Sequence, residues 1–442
     1  MVEPVALVEH APFAELKPPF TPMEAQTEAS RCLDCGGPYA PAPCSVACPS
    51  GIDVPGFIKA LRRGESQRAG QIVFSANPLA GTCARVCPTP VLCEGACVLS
   101  HVGQRPVAIG RLQRTAADAV ANRAAFTAPA GGGGRVAVVG AGPSGLVCAS
   151  ELARLGHQVT IYDENPAPGG LIRYAIAPYR QRVAPLEDEI EPLRQAGVAF
   201  RFNTRLTGRS AFLALEAECD AIFLGIGLGA DVNPELPGQN LFGVWQALPF
   251  IRALKDGHPP LVGRSTVVIG GGNTALDAAR EALRLGSDQV TVIYRRDRRS
   301  MPAYPYEVSE AEAEGVRFHW LAAPVRFVGD AWLERVECQY QELATGADGR
   351  VRPQPVPGAL FSIAAENAIL AIGQTARAQF TEWVPGLRFE QGRLAVDDNT
   401  GQTDNPRYFA AGDAVGGVSV VQAVQSAKRA AQAIHRYLAG ED

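Results

Sequence analysis

The sequence has no long uninterrupted apolar run, and this absence bears on whether the protein associates with a membrane. No segment of the 442 residues approaches the ~20 consecutive apolar residues that a membrane-spanning helix needs. The opening stretch, MVEPVALVEHAPFAELKPPF, contains acidic residues and prolines and has no basic region before an apolar core, unlike a secretory signal. We therefore expect a cytoplasmic protein with no membrane association, in a compartment where disulfides are rare.

The sequence also lacks a strong excess of charge of either sign. The formal net charge is −4, which gives no reason to expect nucleic acid or an anionic membrane as a partner. The six histidines include no HExxH motif and no paired spacing typical of metal ligands, so we expect none to be catalytic. A hydrophobic content of 47% and a charged content of 19% are ordinary for a globular protein, and the length predicts two to four domains.

Cysteine, by contrast, is concentrated in one part of the chain. Eight of the 11 cysteines lie between residues 32 and 97, whereas Cys148, Cys219 and Cys338 are scattered singly. A disulfide cluster is the alternative, but it is uncommon in a chain without an export signal, and unligated buried thiols would not concentrate in one segment. Metal binding is the favoured interpretation of the two groups, Cys32, Cys35, Cys44 and Cys48, then Cys83, Cys87, Cys93 and Cys97.

The pattern of the chain changes at a glycine-rich connector, FTAPAGGGGR, at residues 126–135. Before it, helical patterns such as VPGFIKALRRGESQRAGQIVF occur without a convincing strand. After it, RVAVVG, GLVCASELARLG and VTIYD predict a strand, a helix and a second strand, which form a βαβ unit. The same order recurs at 264–294, and residues 406–438 predict a strand, a turn and a closing helix. We therefore predict an α/β protein with two Rossmann-like dinucleotide-binding domains, preceded by an α-helical domain.

The first βαβ unit carries the turn Gly140-Ala-Gly142-Pro143-Ser144-Gly145 between its strand and its helix. Gly140 would make the tight turn, Gly142 would let the backbone approach a pyrophosphate, and Gly145 would allow close helix–strand packing. The helix N-terminus adds free N–H groups for the phosphates. Asp163, 18 residues after Gly145, ends the next strand and would accept hydrogen bonds from ribose hydroxyls. A purely structural turn is the alternative.

The second unit carries Gly270-Gly-Gly272-Asn273-Thr274-Ala275, with alanine in place of the third glycine. Its second strand ends in YRRDRRS, so Arg295 and Arg296 stand where the ribose-binding carboxylate would be. Guanidinium groups at this place allow such a site to accept a 2′-phosphate, and Arg299 would assist. A solvated basic turn is the alternative interpretation.

Two nucleotide sites suggest two cofactors, a flavin and a nicotinamide nucleotide. The segment YFAAGD ends in Gly412 and Asp413 before a helix, which suits the ribityl–pyrophosphate part of FAD, and the second unit would then be inserted in the FAD domain. Thioredoxin reductases share this arrangement and carry a redox CxxC in their nicotinamide domain. Residues 250–370 contain only Cys338, so electrons need another exit.

The cysteine spacing indicates which metal that exit would use. Both Cys44-x3-Cys48 and Cys83-x3-Cys87 are followed by proline, as in the bacterial ferredoxin motif, whose last cysteine ligates the other of two clusters. Eight residues separate Cys35 from Cys44, where the ferredoxin motif has two. Zinc would favour two CxxC pairs, and only Cys32 and Cys35 have that spacing. Iron–sulfur clusters are therefore favoured over zinc.

At this point the sequence resembles the glutamate synthase small-subunit family, which includes the amino-terminal half of dihydropyrimidine dehydrogenase and the nicotinamide-oxidising subunit of its two-subunit bacterial form. The resemblance is carried by RCLDC, by NPLAGTCARVCPTPVLCEGAC, by RPVAIGRLQR and by the two Rossmann motifs, and it covers nearly the whole chain. It implies an electron-input module with FAD, NADPH or NADH, and two [4Fe-4S] clusters.

The resemblance also implies the site residues. One cluster would be held by Cys32, Cys35, Cys44 and Cys97, and the other by Cys48, Cys87, Cys93 and the amide of Gln113, with Cys83 as an extra thiol. Family contacts to FAD fall on Gly142 to Gly145, Asp163, Gly169, Gly170, Leu171, Arg180, Gly412 and Asp413, although Arg180 is also compatible with a surface charge. The implied domains are 1–125 for the clusters, 134–248 with 371–442 for FAD, and 249–370 for NAD(P)H.

The expected function is electron transfer from NAD(P)H through FAD and the clusters to a catalytic partner subunit. An FMN-containing dihydropyrimidine dehydrogenase subunit, which acts on uracil or thymine, is the favoured partner, because glutamine at position 113 resembles that branch, whereas glutamate-synthase relatives tend to carry glutamate. The alternatives are the large subunit of glutamate synthase and a ferredoxin-reductase-like oxidoreductase. A redox-sensing binding protein is the alternative from another class, and it would leave two cofactor motifs idle.

Overall fold

A computed structural model describes residues 13–120 and 133–441. Most of the predicted glycine-rich connector therefore lies outside the described residues. Within the described ranges, the chain has no helix that combines the length and the apolar character required to cross a bilayer.

The described chain packs into two compact units. The first consists of Tyr174–Tyr179 and Gly229–Thr375, together with Phe13 and Ala14, and the second consists of Glu15–Arg173, Arg180–Leu228 and residues 376–441. Because these units are defined by packing and not by cofactors, the domain limits given above stay a prediction.

The second unit begins with a segment whose described residues form helices and no strands. Its helices are α1 (Pro22–Ala29), α2 (Pro43–Val46), α3 (Val54–Arg62), α4 (Ser66–Ala76), α5 (Ala80–Val86), α6 (Val98–His101) and α7 (Ile109–Asp118). Local capping fixes two of the starts: Thr21 and Glu24 form a reciprocal capping box at α1, and the carboxylate of Asp53 accepts from Gly56 N at 3.0 Å at α3. The apolar faces of α3, α4 and α7 meet in a core around Phe57, Leu61 and Leu112.

A five-stranded parallel sheet forms the rest of this unit. Its strands, in spatial order, are β15 (Tyr408–Ala410), β4 (Ala221–Leu224), β1 (Arg135–Val139), β2 (Gln158–Tyr162) and β3 (Ala199–Arg201). The accompanying elements are α8 (Pro143–Arg154), α9 (Leu171–Tyr174), α10 (Ala184–Gln195), α11 (Gly208–Glu218), α15 (Phe380–Trp383), α16 (Val420–Ala439) and the hairpin β13 (Phe389–Glu390) with β14 (Arg393–Leu394). The last strand and the last helix thus return to the sheet that β1 begins.

The first unit contains a second five-stranded parallel sheet. Its strands, in spatial order, are β5 (Val244–Gln246), β12 (Asn367–Leu370), β6 (Ser265–Ile269), β7 (Gln289–Tyr294) and β8 (Arg317–Trp320), and its helices are α12 (Ala247–Lys255), α13 (Asn273–Arg284) and α14 (Pro305–Ala313). The predicted α/β fold, with two Rossmann-like units after a helical segment, is confirmed.

An antiparallel sheet in the same unit was not predicted from the sequence. It consists of β9 (Ala322–Val328), β10 (Arg335–Thr345) and β11 (Val351–Ala364), with β10 in the centre. The third of these strands contains Pro353, Pro355 and Pro357. Proline cannot donate to a sheet ladder and is tolerated on an edge strand, which is the position of β11. Because of these prolines, the sequence of β11 does not resemble that of a typical strand.

A buried carboxylate joins the helical segment to the first sheet's helices. Glu189 on α10 is 2% exposed, and its Oε1 accepts from Gly81 N at 2.7 Å and from Thr82 N at 3.0 Å. Its Oε2 accepts from the Thr82 hydroxyl, which also accepts from Gln181 Nε2. No residue next to α5 caps its N-terminus with a side chain. Glu189, from a distant part of the chain, instead accepts hydrogen bonds from the first N–H groups of α5.

We predict that Glu189→Ala destabilises the protein strongly. The change leaves two N–H groups and one hydroxyl buried without their acceptor, at a cost of roughly 3 kcal/mol. Glu189→Gln keeps an acceptor oxygen for the N–H groups, so its cost should be about 1 kcal/mol. The measurement is the shift of the thermal unfolding transition, and Glu191→Ala, an exposed position on the same helix that pairs with Arg194, is the control. Equal shifts for Glu189→Ala and Glu191→Ala would contradict the prediction.

Candidate cofactor sites

The first glycine turn needs glycine at two positions for steric reasons. Gly140 has φ 105°, and a Cβ there would lie 2.3 Å from Gly225 O. A Cβ at Gly145 would lie 1.9 Å from Gly140 O. Gly142, the N-cap of α8, is different, because a Cβ there would meet only Gly170 Cα, at 3.9 Å. The turn is therefore tight at its ends and open at Gly142, as a pyrophosphate-binding turn requires.

The carboxylate of Asp163 holds this turn. Its Oδ2 accepts from Ala141 N at 2.6 Å, and its Oδ1 accepts from Asn165 N at 2.8 Å. The acid at the end of β2 thus lies against the backbone of the glycine turn. This position suits a contact to the ribose of a bound dinucleotide.

Two segments distant in sequence converge on the N-terminus of α8. Gly169 N donates to Ala141 O at 2.8 Å, and a Cβ at Gly170 would lie 2.7 Å from Gly142 Cα. A Cβ at Gly412 would lie 2.9 Å from the hydroxyl oxygen of Ser144. The glycine turn, the Gly169–Gly170 pair and the Gly412–Asp413 turn therefore meet. Leu171, which begins α9, and Arg180 are both half-buried.

Asp413 is the partly buried acid of this convergence. Burial raises the pKa of its carboxyl from 3.8 to about 6. A carboxylate that is poorly solvated gains from hydrogen-bond donors, and the hydroxyls of a ribityl chain are such donors. The residues present therefore fit the ribityl–pyrophosphate part of FAD.

The second glycine turn has the same construction. A Cβ at Gly270 (φ 148°) would lie 2.2 Å from Ala371 O, whereas a Cβ at Gly272, the N-cap of α13, would meet no atom within 4 Å. Asn273 Oδ1 accepts from Tyr304 N at 3.1 Å, which ties the segment after β7 to the turn. Thr274 is half-buried and Ala275 is buried, so the open side of the turn is at Gly272 and Asn273.

The basic run after β7 divides into two kinds of arginine. Arg298 is paired with Glu312 through both terminal nitrogens, at 2.5 and 2.8 Å. Arg295 and Arg299 are exposed, and neither side chain donates a hydrogen bond or forms a salt bridge to a described residue. Nε of Arg296 is buried and has no hydrogen-bond partner among the described residues. Three of the four arginines are thus available to an anionic ligand, and Arg298 is not.

Four cysteines of the helical segment line one pocket. Its apolar wall includes Ile58, Leu99 and Ile109, and its sulfur-bearing residues are Cys32, Cys35, Cys44 and Cys97. Cys44 lies in α2, and Cys97 is the N-cap of α6. The long spacing before Cys44 is accommodated by an outward loop, since Tyr39 in its middle is 99% exposed. The pocket brings together the four residues that the resemblance assigns to one cluster.

The second group of ligand candidates lies around α5. Cys87 ends this helix, and Cys93 interacts electrostatically with both Cys87 and Cys48. The buried Gln113 donates from Nε2 to Ala80 O at 2.8 Å, so its amide is held against the start of the same helix. Cys83 is buried and hydrogen-bonds to Cys87, which is the first cause of the strongly raised pKa of the Cys87 thiol.

The chemistry of these thiols fits a metal cluster. Burial raises the pKa of Cys44 to about 11 and that of Cys93 well above its ordinary value, so ligation must release protons. No group of three or more His, Cys, Asp or Glu side chains in residues 13–120 and 133–441 could hold a single metal ion. Four cysteines around one pocket match the number of cysteine ligands of a [4Fe-4S] cluster.

Several residues that contact these candidates were missed by the sequence analysis. Glu189 and Lys428 touch the helical segment from elements far along the chain. Ser50 lies beside Cys48, and Asn77 contacts Ser50. The sequence contained no signal for the first two, because most of their partners are backbone groups. Ser50, two residues after Cys48, is the one position that proximity to a ligand candidate could have indicated.

Comparison with known proteins identifies the family. Residues 134–433 match the pyridine nucleotide-disulphide oxidoreductase profile, and residues 9–125 match dihydropyrimidine dehydrogenase domain II, 4Fe-4S cluster. The chain is 37% identical to the NADP(+)-dependent formate dehydrogenase subunit beta of Moorella thermoacetica over 91% of its own length, but it covers only 60% of that relative.

Two further relatives match along nearly their whole length. The glutamate synthase [NADPH] small chain of Azospirillum brasilense is 34% identical over 96% of this chain and 91% of its own. The NAD-dependent dihydropyrimidine dehydrogenase subunit PreT of Salmonella typhimurium is 34% identical over 96% of this chain and 97% of its own. The structure of Mycobacterium tuberculosis FprA in complex with NADPH is similar in fold, with a TM-score of 0.56, 21% identity, and coverage of 70% of this chain and 85% of that one. The chain thus belongs to the pyridine nucleotide-disulphide oxidoreductase family, in the branch of the glutamate synthase and dihydropyrimidine dehydrogenase small subunits, and carries a 4Fe-4S domain.

Proposed function

We propose that the chain is the electron-input subunit of a larger cytoplasmic enzyme, which oxidises NAD(P)H and delivers electrons to a catalytic partner. The observation that carries the proposal is that the FAD-type glycine turn and the cysteine-lined pocket belong to one compact unit. Contacts from Glu189 and Lys428 hold the two parts together. An electron path from a flavin to clusters needs such a fixed arrangement.

The residues of the chain would supply binding and positioning. FAD would accept a hydride from the nicotinamide, and two [4Fe-4S] clusters would carry single electrons onward. Gly142 and the N-terminus of α8 would receive the pyrophosphate, and Asp163 and Asp413 would accept from hydroxyl groups of FAD. Gly272 and Asn273 would do the same for the pyrophosphate of the nicotinamide nucleotide. No side chain is required as a general acid or base.

The cluster ligands follow the groups that the structure brings together. Cys32, Cys35, Cys44 and Cys97 would hold one cluster, and Cys48, Cys87, Cys93 and Gln113 the other. The contact of Gln113 Nε2 with Ala80 O supports this assignment, because it leaves the amide oxygen as the ligand atom.

The favoured partner is an FMN-containing dihydropyrimidine dehydrogenase catalytic subunit. The glutamine at position 113 and the similarity to a dihydropyrimidine dehydrogenase subunit over 96% of the chain support it. The large subunit of glutamate synthase is the second candidate, on the equally extensive similarity to the glutamate synthase small chain.

The test is to isolate the chain with its natural partner under anaerobic conditions and to assay the complex. Uracil-dependent oxidation of NAD(P)H would support the pyrimidine partner. Glutamine- and 2-oxoglutarate-dependent oxidation would show that the partner is the glutamate synthase large subunit. A chain that lacks NAD(P)H:dye reductase activity although it binds FAD would contradict the electron-input role itself.

The contact between Cys83 and Cys87 generates a prediction about the clusters. The wild-type protein, purified without oxygen, should contain about eight irons, the content of two [4Fe-4S] clusters. Cys87→Ser should lose about half of this iron, because it removes a ligand, whereas Cys83→Ser should retain all of it. Iron and labile sulfide analysis measures both. Equal iron loss in the two variants would contradict the assignment of Cys83 as an extra thiol.

The arginines after β7 predict a preference for NADPH over NADH. A hydrogen bond to a charged group contributes roughly 1.5–3 kcal/mol, and a tenfold preference needs only about 1.4 kcal/mol. Replacing Arg295 and Arg296 together by alanine should therefore reduce the NADPH:NADH ratio of kcat/KM at least tenfold. Arg298→Ala is the matched control, because Arg298 is engaged by Glu312. A wild-type preference for NADH, or an unchanged ratio in the double variant, would show that this run is a solvated turn.

A further inference from the structure

A buried serine lies beside one of the proposed cluster ligands. The hydroxyl oxygen of Ser50 is 3.4 Å from the sulfur of Cys48, and Ser50 is 2% exposed. When Cys48 ligates iron it is a thiolate, which can only accept a hydrogen bond. The hydroxyl of Ser50 is then the donor of this contact.

The neighbouring amide leaves the serine proton free for the sulfur. Leu79 N, which can only donate, lies 2.9 Å from Asn77 Oδ1 and so fixes the orientation of that fully buried amide. Asn77 Nδ2 therefore faces Ser50 Oγ, at 3.5 Å, and donates to it. Because the serine oxygen accepts from Asn77, its own proton is available to the sulfur of Cys48.

A lysine from the C-terminal helix holds the same loop. Nζ of Lys428 on α16 donates to Ser50 O at 3.3 Å and to Ala76 O at 2.9 Å. Ser50 is the residue that contacts the sulfur of Cys48, and Ala76 directly precedes Asn77. Lys428 therefore positions the serine and the asparagine together, and its ammonium group lies against the loop that follows Cys48.

We propose that Ser50 donates a hydrogen bond to the sulfur of Cys48 and thereby raises the reduction potential of the cluster that Cys48 ligates, with Asn77 and Lys428 as positioning residues. The inference rests on the proposed function, because it takes Cys48 as a ligand. Reduction of the cluster adds one electron and forms or breaks no bond, and the added negative charge falls partly on the sulfurs. A donor to sulfur and a nearby cation both stabilise the reduced form, since hydrogen bonds and charge set cluster potentials. The cluster that Cys48 ligates would thus accept electrons more readily.

The first test is a redox titration of the purified holoprotein, in which the electron paramagnetic resonance signals of the reduced clusters are measured at each potential. Ser50→Ala should lower the midpoint potential of one cluster and leave the other unchanged. We expect the ratio of reduced to oxidised cluster at a fixed potential to fall about tenfold, which for a one-electron couple is about 59 mV. Ser50→Thr, which keeps the hydroxyl, should restore most of the potential.

A matched control separates this effect from a general perturbation. Ser75 on α4 is exposed, and its hydroxyl donates to Ile72 O, so Ser75→Ala should leave both potentials unchanged. Unchanged potentials in Ser50→Ala with full iron content would overturn the proposal. A fall of equal size in Ser75→Ala would also overturn it.

A second variant and an iron analysis complete the test. Lys428→Gln removes the charge but keeps an N–H donor for the two carbonyls, so it should lower the potential of the same cluster. This variant tests the proposal even if Ser50→Ala fails to fold, and an unchanged potential there would contradict the role of Lys428. Iron analysis of Cys48→Ser addresses the proposed function separately. Loss of one cluster supports Cys48 as a ligand, whereas retention of both would refute the ligand assignment whatever Ser50→Ala shows.

Discussion

The attachment of the cysteine-bearing helices to the first parallel sheet depends on two ionic side chains that satisfy backbone groups, the buried Glu189 and the half-buried Lys428. Glu189 accepts from the first N–H groups of α5, and Lys428 donates to the last residue of α4 and to Ser50. An anion at a helix N-terminus and a cation at a helix C-terminus both complement the helix dipoles. An apolar residue in place of either one would leave polar backbone groups unpaired. These hydrogen bonds therefore hold α4 and α5 against the part of the chain that carries the sheet.

This attachment places the flavin and cluster candidates in one compact unit. Residue Cys87 lies at the end of the helix whose start Glu189 caps, and Ser50 follows Cys48 in the loop that Lys428 holds. On the other side, α10 and α16 belong to the part of the chain that carries the Gly140–Gly145 turn and Asp413. A displacement of either helix would therefore change the spacing between the proposed flavin and cluster sites, and with it the coupling on which electron transfer depends.

The elements of the fold were predictable where a local pattern specifies them. Apolar runs that lead into glycine identified β1 and β6, and the apolar segments after the two predicted helices identified β2 and β7. The predicted helices after both turns are confirmed as α8 and α13. The prolines of β11 concealed an edge strand, because its tolerance of proline depends on which strands pair beside it. The contacts of Glu189 and Lys428 join residues more than 100 positions apart, and they are made to backbone groups. Because almost every residue has the same backbone groups, residue types do not predict these partners.

The family's name refers to disulfides, yet the structure argues against disulfide chemistry in the Gly229–Thr375 segment. The one cysteine of that segment, Cys338, is fully buried in β10, and burial raises the pKa of its thiol to about 12. Nucleophilic attack on a disulfide requires a thiolate that is accessible and a second thiol to resolve the mixed disulfide. Both conditions fail at Cys338. The segment therefore offers no pair of thiols that could carry electrons, and the proposed route through the cysteine-lined pocket does not require one.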